Sequence, residues 1–470
     1  MAQSALQYRT ETREPPTRLS GILRSIGPGI VVTGSVIGAG ELINTPQRAS
    51  NYGFTILWAV ILSCVIKYWL QIELGRYCTV NNLTTIQALN TLPGPKWRRT
   101  HIIPLLYMFG FLLSMAALTG IFTATAGLMK SVCEDIVPSI PFLANVRLWV
   151  VATYVITVAL LYRGKYNSLE RLITILVAGF SLSVLLCLAL IQFSPNHITW
   201  PELRSGLTLT VPRGGDYYII SLMGALGAGA NELFMYPYWV LENGYARFVG
   251  PKEAAATPER WYYRARGWLR VMKVDVACAT AIATVVTLGY YLVAAAVLYG
   301  REIGGTDVVK DVSRMFTETY GAWSYLVFML GGFCTLYSTL VVMAAATGRM
   351  GADLISSLGF IDWRNEPARK RVIRYFTLSF LTAWLVVALV MTQPQNYIAF
   401  GQFAIGIINT PILLVGIVMM AFRTEKPLRM SRSASVLLVV SAGVFIFVLA
   451  RTAPETLKKI GEIIGGLANR

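Results

Sequence analysis

From Met108 to Gly127 the chain carries no charged residue. A run of that length and polarity reads as a membrane-spanning helix, because a helix satisfies its own backbone hydrogen bonds and hydrocarbon offers no others. Comparable runs recur through the 470 residues and predict eleven spans, at 24–50, 54–77, 101–129, 147–163, 171–194, 215–240, 274–299, 320–347, 372–392, 396–421 and 434–451. Composition agrees: 14% of residues are charged, against about 25% in soluble domains, and 55% are hydrophobic. The chain is therefore expected to be an all-α polytopic membrane protein. No nucleophile–base pair, phosphate loop or metal-hydrolase motif is found, so an enzyme is not expected.

Net charge is +17. Nucleic-acid binding would account for it in a soluble chain, but here its distribution follows the spans. With the N-terminus in the cytoplasm, 28 of the 41 Lys and Arg fall on the inner side, 12 fall outside and Lys67 lies within a span. Basic residues concentrate in cytoplasmic loops, so this asymmetry predicts an N-in, C-out protein with an odd number of helices. The 6–7 loop is the most basic, with Arg247, Lys252, Arg260, Arg264, Arg266, Arg270 and Lys273. The six cysteines are scattered without metal-site spacing, and no secretory signal precedes the first span.

Two of the spans resemble each other. Span 1 reads GSVIGAGELINTP from Gly34 to Pro46, and span 6 reads GALGAGANELFMYP from Gly224 to Pro237. Each is an apolar run interrupted by Gly-Ala-Gly, followed by an acidic residue and then proline. Their starts are five helices apart, so the copies enter the membrane from opposite sides. Spans 1–5 and 6–10 are thus expected to form an inverted repeat, with span 11 added. Matching interruptions in two halves are the sequence mark of a transporter site near the midplane.

Glycine makes unwinding cheap, and unwound backbone exposes carbonyl oxygens where it lines a cavity or is buried in protein. A carboxylate at that depth is costly unless paired, neutralised or hydrated. Glu41, after Gly38-Ala39-Gly40, and Glu232, after Ala228-Gly229-Ala230-Asn231, therefore read as a set of hard oxygen donors that suits a divalent cation. Each acid can alternatively bond an open helix end or be a neutral, protonated acid, and Asn44 and Asn231 can serve as caps. Gln402, with Asn409-Thr410-Pro411, forms a polar break in span 10 that can close the site from the other side. Lys67 and Glu73 are expected to snorkel or pair near the inner end of span 2, and Asp275 to lie at the membrane interface. The predicted substrate-site residues are Gly38, Glu41, Asn44, Ala228, Asn231, Glu232 and Gln402, with Glu41, Glu232 and Asn231 as metal ligands.

These segments resemble the Nramp family of divalent metal transporters. The resemblance rests on GPGIVVTGSVIGAGE (from Gly27), QIELGRYCTVNNLTTIQAL (from Gln71), SLERLITILVAGFSL (from Ser168), VMKVDVACATAIATVVTLGYYLVAAAVLYG (from Val271) and GQFAIGIINTP (from Gly401). It covers nearly the whole chain and implies a LeuT-type fold, an inverted repeat of five and five helices with spans 1 and 6 broken. It also implies that a divalent metal is the substrate, with no cofactor. The sequence departs from the family at two places. Members typically carry Asp-Pro-Gly-Asn where this chain has Gly38-Ala39-Gly40-Glu41, and Met-Pro-His where it has Ala228-Gly229-Ala230. The thioether that favours transition metals and the histidine linked to proton coupling are both absent. That absence resembles the Nramp-related magnesium transporters, although these generally keep the Asp in helix 1.

The expected organisation is a flexible cytoplasmic N-terminus at 1–23, a first repeat at 24–194, a second at 215–421, helix 11 at 434–451 and a polar tail at 452–470. The expected function is alternating-access transport of a hard divalent cation such as Mg or Mn, with Fe also possible, and without the usual proton coupling. The expected location is a bacterial inner membrane, and the functional unit a monomer that binds no nucleic acid. The alternative readings are a LeuT-type carrier of a small organic solute or metal chelate, and a non-transporting scaffold whose basic 6–7 loop binds a partner.

Overall fold

The computed structural model describes residues 11–468, except 30–31, 34–36, 39, 164–165, 227–228, 304–307, 364 and 391–392. For residues 163, 166–176, 225, 452–453 and 455–468 it describes backbone alone. Among the described residues, span 1 is discontinuous, with helical residues at 28–29 and 32–33, a π-helical turn at Gly40–Asn44 and an α-helix at Thr45–Tyr52. Span 2 is Leu57–Asn81, span 3 Ile102–Ile136, span 4 Val146–Arg163 and span 5 Tyr166–Leu190. Span 6 consists of two half-helices, 6a at Asp216–Ala225 and 6b at Ala230–Glu242. Span 7 is Pro258–Leu298, span 8 Ser324–Ser357 and span 9 Glu366–Ala388. Span 10 runs over Pro394–Arg423 and span 11 over Arg432–Ala468.

The packing keeps its pattern when each span is exchanged for the one five places later. Span 3 lies on span 4 as span 8 lies on span 9, and spans 3 and 8 also pack together. Span 10 packs against spans 3 and 2, as span 5 packs against spans 8 and 7. Span 2 holds both halves of span 6, as span 7 holds span 1. An odd number of spans per copy forces the two copies to run in opposite directions. The fold is the expected LeuT-type bundle, with spans 1 and 6 enclosed by the rest.

Two boundaries differ from the sequence reading. Span 7 begins at Pro258, not near residue 274, because the Thr257 hydroxyl accepts the Arg260 N–H at 3.3 Å and Pro258 follows it. Proline is well placed in a first helical turn. Its 41 residues correspond to about 60 Å of helix, about twice the hydrocarbon thickness. The first turns carry Arg260, Arg264, Arg266, Arg270 and Lys273, so hydropathy reads them as loop. Span 11 likewise continues as helix to Ala468, through the segment expected to be a polar tail.

The N-terminal segment, expected to be flexible, is docked where it is described. The backbone N–H of Arg13 donates to Phe248 O at 3.2 Å, and the Trp268 indole donates to Arg13 O at 2.9 Å. Glu11 pairs with Arg247 and Glu14 with Arg260. The basic 6–7 region thus recruits the two acids of the tail before the short helix Leu19–Ser25 begins.

Asp275 does not open span 7 and is enclosed by protein. It is fully buried within span 7 and accepts the N–H groups of Gly27 at 3.0 Å and Gly29 at 2.7 Å, with the Tyr236 hydroxyl at 3.1 Å. It therefore caps the beginning of span 1. Glu73 is buried as well, in an ion pair with Arg76.

Span 10 approaches its neighbours so closely that only glycine fits. A Cβ on Gly401 would lie 2.3 Å from Ala117 N and 2.8 Å from Ser114 O of span 3. A Cβ on Gly224 of 6a would lie 2.4 Å from Gln402 O. Both obstacles are backbone atoms, which cannot rotate aside. Gly401→Val should therefore destabilise the folded protein by about 1–3 kcal/mol, measured as a lowered melting temperature in detergent. An unchanged melting temperature would contradict the close span 3–span 10 contact.

Candidate substrate site at the broken helices

The sequence Ile-Asn-Thr-Pro occurs twice, at Ile43–Pro46 and Ile408–Pro411. Each copy sits at the end of a five-residue π-helical turn, Gly40–Asn44 in span 1 and Ile405–Asn409 in span 10. Proline has no N–H to give to the preceding turn and its ring crowds that carbonyl, so the α-helical ladder slips. In span 10 the Thr410 hydroxyl takes up one freed acceptor, donating to Ile405 O at 2.9 Å. Such π turns widen a helix and redirect one side chain, which is why they recur at functional sites. Here the redirected residues include Asn44 and Asn409, both buried.

Glu41 lies within the first of these turns and is fully buried. Its Oε2 accepts the Gly38 N–H at 3.2 Å, and its Oε1 accepts the Thr287 hydroxyl of span 7 at 3.0 Å. Asn44 donates to the Gln402 side-chain oxygen and accepts from Arg48 Nε at 3.1 Å. The Arg48 guanidinium lies 4.0 Å above the Tyr218 ring of 6a, and Tyr217 stacks on Phe403 of span 10 at 4.7 Å. The second half of span 1, half-helix 6a and span 10 are thereby locked together on one side of the break.

Span 6 opens between Ala225 and Ala230. Its two ends present opposite partial charges, carbonyl oxygens from 6a and N–H groups from 6b. Span 2 covers the carbonyl end. The Ser63 hydroxyl lies 3.0 Å from both Met223 O and Leu226 O, and the Lys67 ammonium donates to Leu226 O and, at 3.3 Å, to Gly224 O. Lys67 is 1% exposed, so it neither snorkels to the inner end of span 2 nor pairs there. At the other end Glu232 occupies the first turn of 6b and folds back over Gly229, where a Cβ would lie 2.3 Å from Glu232 Oε2. Asn231 donates to the Ser114 hydroxyl at 2.9 Å and accepts from Asn409 Nδ2 at 3.0 Å. The Tyr107 hydroxyl donates to Ala230 O at 2.8 Å, with Asn231 Oδ1 at 3.2 Å.

The sequence model of the natural resistance-associated macrophage protein-like family matches residues 29–453. The chain belongs to that family. Two divalent metal cation transporters named MntH are similar to this Nramp-like chain. The Deinococcus radiodurans protein is 21% identical over 406 residues, covering 85% of this chain and 83% of the relative. The Granulibacter bethesdensis protein is 25% identical over 358 residues, covering 74% and 70%. Among solved structures, a mutant of the Eremococcus coleocola manganese transporter superposes with a TM-score of 0.60 at 14% identity, covering 97% of each chain. The nucleobase-cation-symport-1 transporter Mhp1, in a closed conformation, gives 0.54 at 13% identity over 94% and 95%. At these identities the structural likenesses show the fold alone.

Within the Nramp-like fold the predicted residues form two linked groups. Span 10 joins them, through Gln402 to Asn44 and through Asn409 to Asn231. Gly38 contributes its N–H to Glu41, and Ala228 lies outside the described residues. Among the described residues no three His, Cys, Asp or Glu side chains come together as a ready metal cage. The donors at the break are instead carboxylate, amide and backbone oxygens. Asn409 Oδ1 is buried without a hydrogen-bond partner among the described residues. A cavity of about 1390 Å³ lies on the side of 6b away from 6a, lined by Tyr238, Glu242, Arg349, Arg369 and Arg374 among others. None of the predicted site residues lines it.

Sequence reasoning missed Thr287, Tyr107, Ser114 and Arg48, single polar residues in otherwise apolar or capping contexts. Asn409 belongs to the polar break already read in span 10, and the doubled Ile-Asn-Thr-Pro is a further signal for it. Thr287→Val removes a buried hydrogen bond to a carboxylate and should lower stability by about 1–3 kcal/mol, measured by thermal melting. No loss of stability would contradict the Thr287–Glu41 contact.

Proposed function

We propose that the chain carries a divalent metal cation across the membrane by alternating access, with Glu41 as the principal acidic ligand. The observation that carries this reading is a carboxylate buried at the interruption of span 1, held by one backbone N–H and one hydroxyl, with no basic side chain ion-paired to it among the described residues. A carboxyl group kept at such depth is expensive and points to a role with a mobile cation. Family membership and the MntH relatives, which are named divalent metal cation transporters, support the substrate class.

Glu232 and Asn231 complete the proposed ligand set from span 6. Asn44 and Gln402 hold the second half of span 1 against span 10 and close the site on that side. An all-oxygen set without thioether favours hard ions, Mg or Mn above Fe. Replacement of Met-Pro-His by Ala228-Gly229-Ala230 removes the histidine expected to couple protons, so uptake proceeds without the usual proton coupling. The charge asymmetry of the loops supports a cytoplasmic N-terminus and an external C-terminus, and the bacterial relatives support an inner-membrane location. In this reading the halves 24–194 and 215–421 rock about the two breaks, and the monomer suffices.

Glu41→Gln keeps the acceptor geometry for Gly38 and Thr287 but removes the charge. Its initial rate of Mn uptake into proteoliposomes should fall at least tenfold while its melting temperature stays near that of the wild type. Uptake equal to the wild type would overturn the assignment of Glu41. Stabilisation of the wild type by an organic solute, with no metal uptake, would overturn the substrate class.

A further inference from the structure

Lys67 is the one basic side chain among the described residues that donates to the backbone of the span 6 break. It sits in the middle of span 2, Leu57–Asn81, far from either end of that helix. Its ammonium is held by Gly224 O and Leu226 O, and among the described residues it has no carboxylate within ion-pair distance. Ser63, one turn earlier on the same face, donates to Met223 O and Leu226 O. The carbonyl end of half-helix 6a is therefore saturated by span 2.

That end is where a discontinuous helix attracts a cation. The last carbonyls have no partner in their own helix and the macrodipole gives them negative charge. In transporters built on broken helices, such half-helix carbonyl ends coordinate the coupling Na⁺ or H⁺. Here the position is occupied by a charge on the protein's own chain.

We propose that Lys67 is a tethered resident cation, filling the cation seat at the carbonyl end of 6a so that the carrier works without a coupled monovalent ion at that position. An ammonium has three donors and a compact charge, so it satisfies several diverging carbonyls as a monovalent ion would. Because it is covalently attached it costs no binding entropy and does not exchange with solution. The acids Glu41 and Glu232 then face a break that already carries one positive charge, and the transported species supplies only the remainder. The inference stands on the geometry of the 6a end, whether or not the substrate is a divalent metal.

The test empties the seat. Lys67→Ala leaves a cavity the size of an alkylammonium ion, and Lys67→Met fills the same volume without charge. Purified proteins are melted in choline, sodium and methylammonium chloride at equal ionic strength. Lys67→Ala is expected to melt below the wild type in choline and to regain at least half of the loss in sodium or methylammonium, while the wild type and Lys67→Met are unmoved by the exchange of salt. Recovery of folded Lys67→Ala only when sodium or methylammonium is present gives the same support. Equal melting of Lys67→Ala in all three salts, loss of the variant in every salt, or an equal shift of the wild type overturns the proposal. In proteoliposomes, wild-type Mn uptake should be the same in sodium and choline, and that of Lys67→Ala should become sodium-dependent. Absence of Mn uptake by the wild type counts against the metal assignment and leaves the melting comparison to decide the role of Lys67.

Discussion

A backbone that stops being helical inside hydrocarbon must find partners for the carbonyls and N–H groups it releases, because no water is there to take them. Several polar side chains at the centre of this bundle answer that demand. Ser63 and Lys67 satisfy the end of 6a, and Glu41 the N–H of Gly38. Asp275 does the same for the start of span 1 from the middle of span 7. The break in span 6, in the second repeat, is thus held by span 2 of the first, and span 1 is held by span 7 of the second. The breaks persist because their partners are in place.

The same arrangement settles how charge is distributed at depth. Two carboxylates and one ammonium occupy neighbouring parts of the breaks, each against backbone of the complementary polarity. Glu232 lies over the N–H end of 6b, and Lys67 on the carbonyl end of 6a. Helix dipoles thus offset part of the desolvation cost at Glu232 and Lys67. Amide side chains do the joining: the Asn44–Gln402 and Asn231–Asn409 bonds connect both broken helices to span 10. Movement of span 10 relative to either half would have to exchange these bonds, which places that helix in the path of any conformational change.

Much of the architecture was legible because hydrocarbon imposes long apolar runs and because the glycine-broken segments of spans 1 and 6 repeat. What escaped did so for physical reasons. The first turns of span 7 are a basic helix outside the apolar layer, and hydropathy is blind to helices of that kind. Starting that span too late made Asp275 open the helix, when it lies well within it and is enclosed by protein. Lys67 was misplaced by a similar argument, since a lone lysine in an apolar span reads as snorkelling unless its partners are known, and its partners are backbone carbonyls that carry no sequence signature. The π turns escaped because nothing in helical periodicity distinguishes them, although Ile-Asn-Thr-Pro stands at the end of both. Glu41, Asn44, Asn231 and Gln402 stand out in the sequence because a polar group beside a glycine break is rare in such a chain.

The account depends on a cation residing between the two breaks with Glu41 beside it. Crystals of the purified protein soaked in manganese and measured near the manganese absorption edge test this directly. The account predicts one anomalous peak between Gly40–Asn44 and the span 6 opening, within coordination distance of a Glu41 carboxylate oxygen. A peak confined to surface carboxylates, or none in crystals that hold manganese elsewhere, would contradict it.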